Sequence, residues 1–262
     1  MPLSQPPPAT PLPVQRWRWS RWLAALVWAA LVAAVYAVYL GLLPVPERLN
    51  PWAPLVVAAE PNFLTSAKLA RARSDPQRCL AALAQTGMSY SVLPDRVTGP
   101  GCGFSNAVLV REAGVRLGAP VSLSCPMALS FAMWERHALQ PAAQLHTGHA
   151  VVAIDHLGSY ACRNINRGEG APSGAPPANR SQHASADALD IAGFTLASGK
   201  RITLLRQWLA EDADTVAGPD ALFLKDAHRG ACRYFKGVLG PDYNAVHSDH
   251  FHLETGGYTM CR

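Results

Sequence analysis

The sequence predicts an α+β domain, a small antiparallel sheet with helices packed on it, preceded by one transmembrane helix. Three observations carry this. Residues 22–43 have no formal charge and are nearly all Ala, Val, Leu, Trp or Tyr. Beyond them, residues 107–121 and 188–205 read as two strand hairpins, each a pair of β-type stretches about a turn. Residues 126–139 and 219–238 read as helices, the first opened by a proline, the second with Leu224, Ala227, Ala231, Phe235 and Val238 three or four apart.

Before the apolar segment, residues 1–15 hold six prolines, so 1–21 is expected to be a disordered cytoplasmic tail. The segment itself, 22 residues, suffices to cross a hydrocarbon core about 30 Å thick. A cleaved signal peptide has an apolar region of about 7–15 residues and then a small-residue cleavage site. Here Pro44, Val45, Pro46 and Glu47 follow instead, which favours a retained anchor. Arg16, Arg18 and Arg21 precede the segment with no acidic residue upstream, so the positive-inside rule puts the N-terminus in the cytoplasm. The expectation is a single-pass inner-membrane protein, held through residues 22–43, with its C-terminal domain in the periplasm. Trp17, Trp19, Trp22, Tyr36 and Tyr39 lie toward the two ends of the segment, where such rings sit at headgroup level.

Three of the +5 formal charges are those arginines, which leaves +2 for the exported part. No basic run with interleaved aromatics remains, so nucleic acid is not an expected partner. All six cysteines, Cys79, Cys102, Cys125, Cys162, Cys232 and Cys261, follow the apolar segment, in an oxidising compartment on this topology. Disulfides are the default, and a zinc-thiolate site is disfavoured because no close C-x-x-C pair occurs. Three cysteines precede residue 130 and three follow 160, so complete pairing needs a bridge between the halves and argues for one domain.

Residues 44–63 read as a tether and 64–262 as the folded domain, which opens with a helix over 64–73. Residues 98–105 are Gly-rich and turn-like; 107–121 form a hairpin about 112–114. The helix from Pro126 runs to about Leu139 with Met127, Leu129, Phe131, Met133 and Trp134 to bury. Residues 151–154 read as a short strand, with 160–163 as its continuation. Residues 164–182, rich in Pro and Gly, form a long loop of the kind that is often functional. Residues 188–196, the turn 197–200 and 201–205 make the second hairpin; Gly240 and Pro241 stop the last helix; 243–254 is a loop entering a strand.

Two segments carry the chemistry: Ser181-Gln182-His183-Ala184-Ser185-Ala186-Asp187-Ala188-Leu189-Asp190 and His247-Ser248-Asp249-His250-Phe251-His252. Imidazole and carboxylate ligands from distant segments, three in all, leave a fourth zinc position for water, the arrangement of a catalytic site. His183 and Asp190 are seven apart, so a turn must intervene. On a regular strand His250 and His252 share a face while Asp249 points the other way. Asp187 reads as a solvated turn residue, and His146, His149, His156 and His228 read as structural, having no matching partners.

The four segments Tyr160-Ala161-Cys162-Arg163, residues 181–190, Gly240-Pro241-Asp242-Tyr243-Asn244 and residues 247–252 together resemble the bacterial extensin-like C-terminal domain family, over about residues 76–262. The histidine motifs also resemble the superfamily of D-Ala-D-Ala carboxypeptidases, murein endopeptidases and the hedgehog signalling domain. The resemblance implies a zinc site at the sheet edge with His183, Asp190 and His252 as ligands. It further implies Asp249 as general base and Arg163 as the residue that binds the substrate's carboxylate or polarises its carbonyl. His250 and His247 are the remaining catalytic candidates, His247 taking the base role if Asp249 does not. Ala186 departs from the family's commoner glycine. The implied activity is hydrolysis of amide bonds in peptidoglycan stem peptides or cross-links. The alternatives are a non-catalytic zinc-containing wall-binding module and, like the hedgehog domain, a partner-binding module.

Overall fold

The structure, a computed structural model, describes residues 16–165, 180–209 and 216–262. The proline-rich stretch 1–15 and most of the loop expected over 164–182 lie outside them. The chain divides after Trp52 into two compact units. The first contains helix α1 (Arg16–Tyr39), whose Arg21–Tyr39 stretch has the length and apolarity of a signal anchor or a single membrane span.

The second unit begins at Ala53, not near residue 64, because Leu55 and Val57 are buried in its core. Gln85 holds them there: its side-chain amide donates to the Leu55 carbonyl at 3.2 Å and accepts from the Val57 N–H at 3.4 Å. Helices α2 (Thr65–Arg73) and α3 (Pro76–Leu83) follow. Asp75 caps α3 by accepting from Arg78 N–H at 2.9 Å, with Pro76 in the first turn where its missing N–H is harmless. Next come β1 (Ser89–Leu93), β2 (Arg96–Gly99), β3 (Cys102–Phe104), β4 (Ala107–Glu112) and β5 (Arg116–Ser124). The Gly-rich stretch is thus a small hairpin of its own, β2 on β3. Helices α4 (Cys125–Trp134) and α5 (Gln140–Thr147) lead to β6 (Val151–Gly158). Then follow β7 (Ala188–Leu196), β8 (Arg201–Thr203), the short α6 (Leu204–Gln207), α7 (Pro219–Ala231), β9 (Gly237–Leu239), β10 (Phe251–Glu254) and β11 (Met260–Cys261).

The class is α+β, but the sheet is larger than expected. Among the described residues it has nine strands in the order β1-β4-β5-β6-β7-β10-β9-β11, with β8 on β7. It is antiparallel except at β5–β6 and β9–β11. Trp134, Phe194, Phe223, Phe235 and Phe251 form a chain of ring contacts, with centroids 5.3–6.4 Å apart, that joins α4 and α7 to β7 and β10. Burying rings of this size supplies most of the driving force at such a junction.

Two helices differ from expectation. The one opening at Cys125 does not end at Leu139: it passes through a π turn (Glu135–Leu139) into α5. Pro141 explains the turn, since it has no N–H and cannot sit in a regular helix interior. The last helix ends at Ala231, and Val238 belongs to β9. Its three-and-four spacing beyond Ala231 arises from a turn that buries Tyr234 and Phe235 ahead of a strand. Residues 160–163 do not extend β6; they pair with the segment ahead of β7, Ala161 N–H donating to the His183 carbonyl and Ser181 N–H to the Arg163 carbonyl.

The six cysteines form three disulfides: Cys79–Cys125, Cys102–Cys162 and Cys232–Cys261. Cys102–Cys162 is the bridge between halves that complete pairing requires, and it ties the β2–β3 hairpin to the chain carrying Arg163.

Candidate metal centre

Strands β7 and β10 pair in register, with Asp190 opposite His252 and Leu189 opposite Leu253. Alternation then puts Asp190, His252 and Glu254 on one face, and Leu189, Ile191, Phe251 and Leu253 in the core behind it. The centre lies on these two inner strands and not at a sheet edge. His183 arrives from a 3-10 turn (Gln182–Ser185) capped by Ser181, whose hydroxyl accepts from His183 N–H at 3.3 Å. Ala186, the position where the resemblance leads one to expect glycine, closes that turn at φ 58°, in the left-handed region. A Cβ there is strained by about 1–2 kcal/mol, a physical reason for glycine to be favoured. The turn is also tied down by Asp187, which accepts from the Ser124 hydroxyl at 2.5 Å and is therefore not the solvated residue expected.

Three side chains converge. His183 Nε2 lies 3.2 Å from Asp190 Oδ2 and 3.2 Å from His252 Nδ1, and His252 Nδ1 lies 2.9 Å from Asp190 Oδ1. All three side chains are largely buried. The outer nitrogen of each ring is engaged elsewhere: His183 Nδ1 with the Ser159 carbonyl, His252 Nε2 with Glu254 Oε2 at 3.1 Å. Those two acceptors take the ring protons, so in neutral rings the inner nitrogens present lone pairs to a carboxylate. Three acceptors facing one another call for a cation. Tetrahedral zinc with bonds of about 2.0–2.1 Å sets ligand atoms about 3.3 Å apart, and the nearest approaches between the three side chains, 2.9–3.2 Å, are close to that. Donor set, spacing and outer partners therefore fit zinc, His183 Nε2, one Asp190 oxygen and His252 Nδ1 being the atoms that would hold it.

Glu254 has a prepared seat. A Cβ on Gly237 or Gly257 would lie 2.6 Å from Glu254 Oε1, so only glycine at those positions admits the carboxylate. A second group, His228, Cys232 and Cys261, has its two thiols joined in a disulfide and offers no thiolate.

Around the triangle stand the other candidates. His250 Nε2 lies 3.8 Å from Asp190 Oδ1, and its Nδ1 is 2.8 Å from Asp249 Oδ1. Asp249, half exposed in the turn before β10, thus bonds His250 and no atom of the triangle. The His247 ring is 5.2 Å from that of His250 and 5.8 Å from that of His252, with Nδ1 donating to Asn244 Oδ1 at 2.7 Å. Arg163 is exposed beside the centre, its charge felt at His247. Four of the five other histidines have side-chain partners away from the centre: His137 with the Val57 carbonyl, His146 with Asp226, His156 with the Ala119 carbonyl and His228 with the Arg262 carbonyl.

Electrostatics follow from this crowding in the metal-free protein. Burial opposes charge on His252, but hydrogen bonds to Asp190 and Glu254 outweigh it and lift the ring to about 9. Burial likewise raises Asp190, yet bonds from His183 and His252 hold it far below the usual carboxylate range. His247 is pushed down to about 4, first by burial and then by the neighbouring charges of His252 and His250. A raised His252 stabilises the metal-free fold fully below pH 6.5, and that contribution is lost as pH rises from 6.5 through about 9. A metal held by the same lone pair would compete with the proton and bind more tightly over the same interval. Chelator-treated protein is expected to melt progressively lower from pH 6.5 to 9 while metal-loaded protein does not. Parallel pH profiles for the two forms would contradict this.

No curated protein and no solved structure matches the chain. Residues 77–262 match the family described as the C-terminus of extensin-like proteins. That stretch takes in every residue of the triangle, its outer partners and the whole sheet. The chain therefore belongs to the family of extensin-like proteins, and the candidate metal centre lies within the domain that defines it.

Proposed function

We propose that the protein is a membrane-anchored, exported zinc peptidase that hydrolyses amide bonds in peptidoglycan peptides, related to the carboxypeptidase, endopeptidase and hedgehog superfamily. The observation that carries the reading is the pairing of a three-ligand centre with the adjoining His250–Asp249 pair, His250 Nε2 lying 3.8 Å from Asp190 Oδ1. Structural zinc sites are closed by four protein ligands; catalytic ones have three and an open position. A metal kept for folding alone has no use for an oriented imidazole beside its ligands. Bound zinc would supply Lewis acidity, polarising an amide carbonyl and lowering the pKa of water to about 7.

The chain's own residues do the rest. Asp249 accepts the His250 Nδ1 proton, which leaves Nε2 as the atom that takes a proton from the attacking water and returns it to the departing amine. Asp249 thus acts through His250. Arg163 holds positive charge where the substrate's carbonyl oxygen or carboxylate comes to rest. His247, held neutral, adds no competing cation beside it.

Helix α1 would hold the N-terminus in the cytoplasm and the domain outside. A reporter active only outside the cytoplasm is expected to work when fused after Arg262 and to fail when fused before Arg16; the reverse pattern overturns the topology. For the activity, zinc-loaded full-length protein is incubated with purified wall material, and released peptides are identified by mass. Release that stops on chelation is expected. Protein that binds zinc and wall yet releases nothing from any preparation would make the domain a binding module instead.

A further inference from the structure

We infer that the cleft beside the metal centre, between β7 and α6, is a subsite for a carboxylate-bearing residue of a bound peptide, recognised by Arg206, Arg201 and the Gln207 amide. The inference rests on the proposed peptide-acting centre and names what flanks the reacting bond. The cleft encloses about 310 Å³, room for one or two residues of a peptide, and is lined by Ala192, Arg201, Thr203, Arg206, Gln207 and Asp249.

Two of those residues connect it to the centre. Asp249 bonds His250 at 2.8 Å. Ala192 stands two positions past Asp190, where the β6–β7 register passes from Ile191 directly to Gly193 and bulges it out of the ladder. Such bulges re-aim side chains beside functional sites. A peptide across the triangle would therefore run on into the cleft.

Its chemistry is donor-rich. Gln207 Oε1 already accepts from Thr203 N–H at 2.8 Å and from the Thr203 hydroxyl at 3.1 Å, so the Gln207 NH2 is left to donate. Arg201 bonds Asp155 through Nε at 2.8 Å, which leaves its terminal nitrogens for another acceptor. Arg206 is exposed and has no ion-pair partner among the described residues. Among the described residues the one carboxylate in the lining, Asp249, is engaged by His250. Two guanidinium groups and an amide against one occupied acceptor select a planar anion, and a carboxylate takes the guanidinium fork with two parallel bonds. Exposed Leu205 offers apolar contact to the same residue's stem.

The test uses the full-length chain in detergent, chelator-treated so that nothing is turned over, titrated calorimetrically with two peptides, Ala-Glu-Lys-Ala and Ala-Gln-Lys-Ala. Wild type is expected to bind the acid form about tenfold more tightly. Arg206→Gln should bring the two within about twofold, and Arg206→Glu should reverse the preference, each with wild-type zinc uptake on reloading. No acid preference in wild type, or a preference that survives both substitutions, overturns the subsite even if zinc-loaded protein releases wall peptides. A preference that depends on Arg206 in a protein that releases no peptide supports the subsite and tells against the hydrolase.

Discussion

His252→Ala is expected to abolish high-affinity metal binding. The substitution removes one of only three acceptor atoms and also strands its neighbours, because Asp190 loses the ring 2.9 Å away and Glu254 loses its partner at 3.1 Å. Elemental analysis after exposure to zinc and exhaustive dialysis should give about one zinc per wild-type chain and close to none in the variant. Loss of an outer partner typically lowers metal affinity about 10 to 100-fold, which sets the scale for Glu254→Gln. His252→Ala must exceed that, and the order of the two variants is the informative result. A stability measurement gives the same answer by another route: zinc that binds only the folded chain is expected to raise the wild-type melting temperature with concentration and to leave His252→Ala unmoved. Full zinc retention by His252→Ala, or an equal loss in Glu254→Gln, would show that the cation sits elsewhere.

The difference between those two variants marks what the sequence discloses. His183, Asp190 and His252 stand in recognisable local patterns, and the four-segment resemblance implied them as a set. Their convergence was not readable, since it depends on a 3-10 turn, a left-handed residue at Ala186 and the β7–β10 register, none of which periodicity expresses. Glu254 was missed although a signal existed: two residues beyond His252 on a strand, it shares that face by alternation. Nothing local in the sequence draws Asp187 out of solvent, because its partner, Ser124, is remote in sequence. The sheet was underestimated for a similar reason. Strands β9 and β11 are three and two residues long, held by partners and not by any pattern of their own.

Strand parity raised the problem of Asp249: on a regular strand it would face away from His252. The turn ahead of β10 meets it indirectly, with Asp249 bonded to His250 and His250 turned toward Asp190. This relay makes a prediction that a lone Asp249 base does not. In a relay, His250→Ala deletes the group that moves the proton, and Asp249→Asn leaves an acceptor for the Nδ1 proton but no charge to stabilise the ring once it is protonated. Each is expected to lower turnover of wall peptides by about 10² to 10⁴-fold, the usual contribution of general-base catalysis, with zinc content unchanged. Because the two act as one unit, the double variant should be little worse than His250→Ala alone. If Asp249 were the base by itself, His250→Ala would be mild and the double variant would match Asp249→Asn. Should both single variants keep full turnover while His247→Ala loses it, the proton is handled by His247. In that case the Asp249–His250 bond serves only to hold the turn before β10.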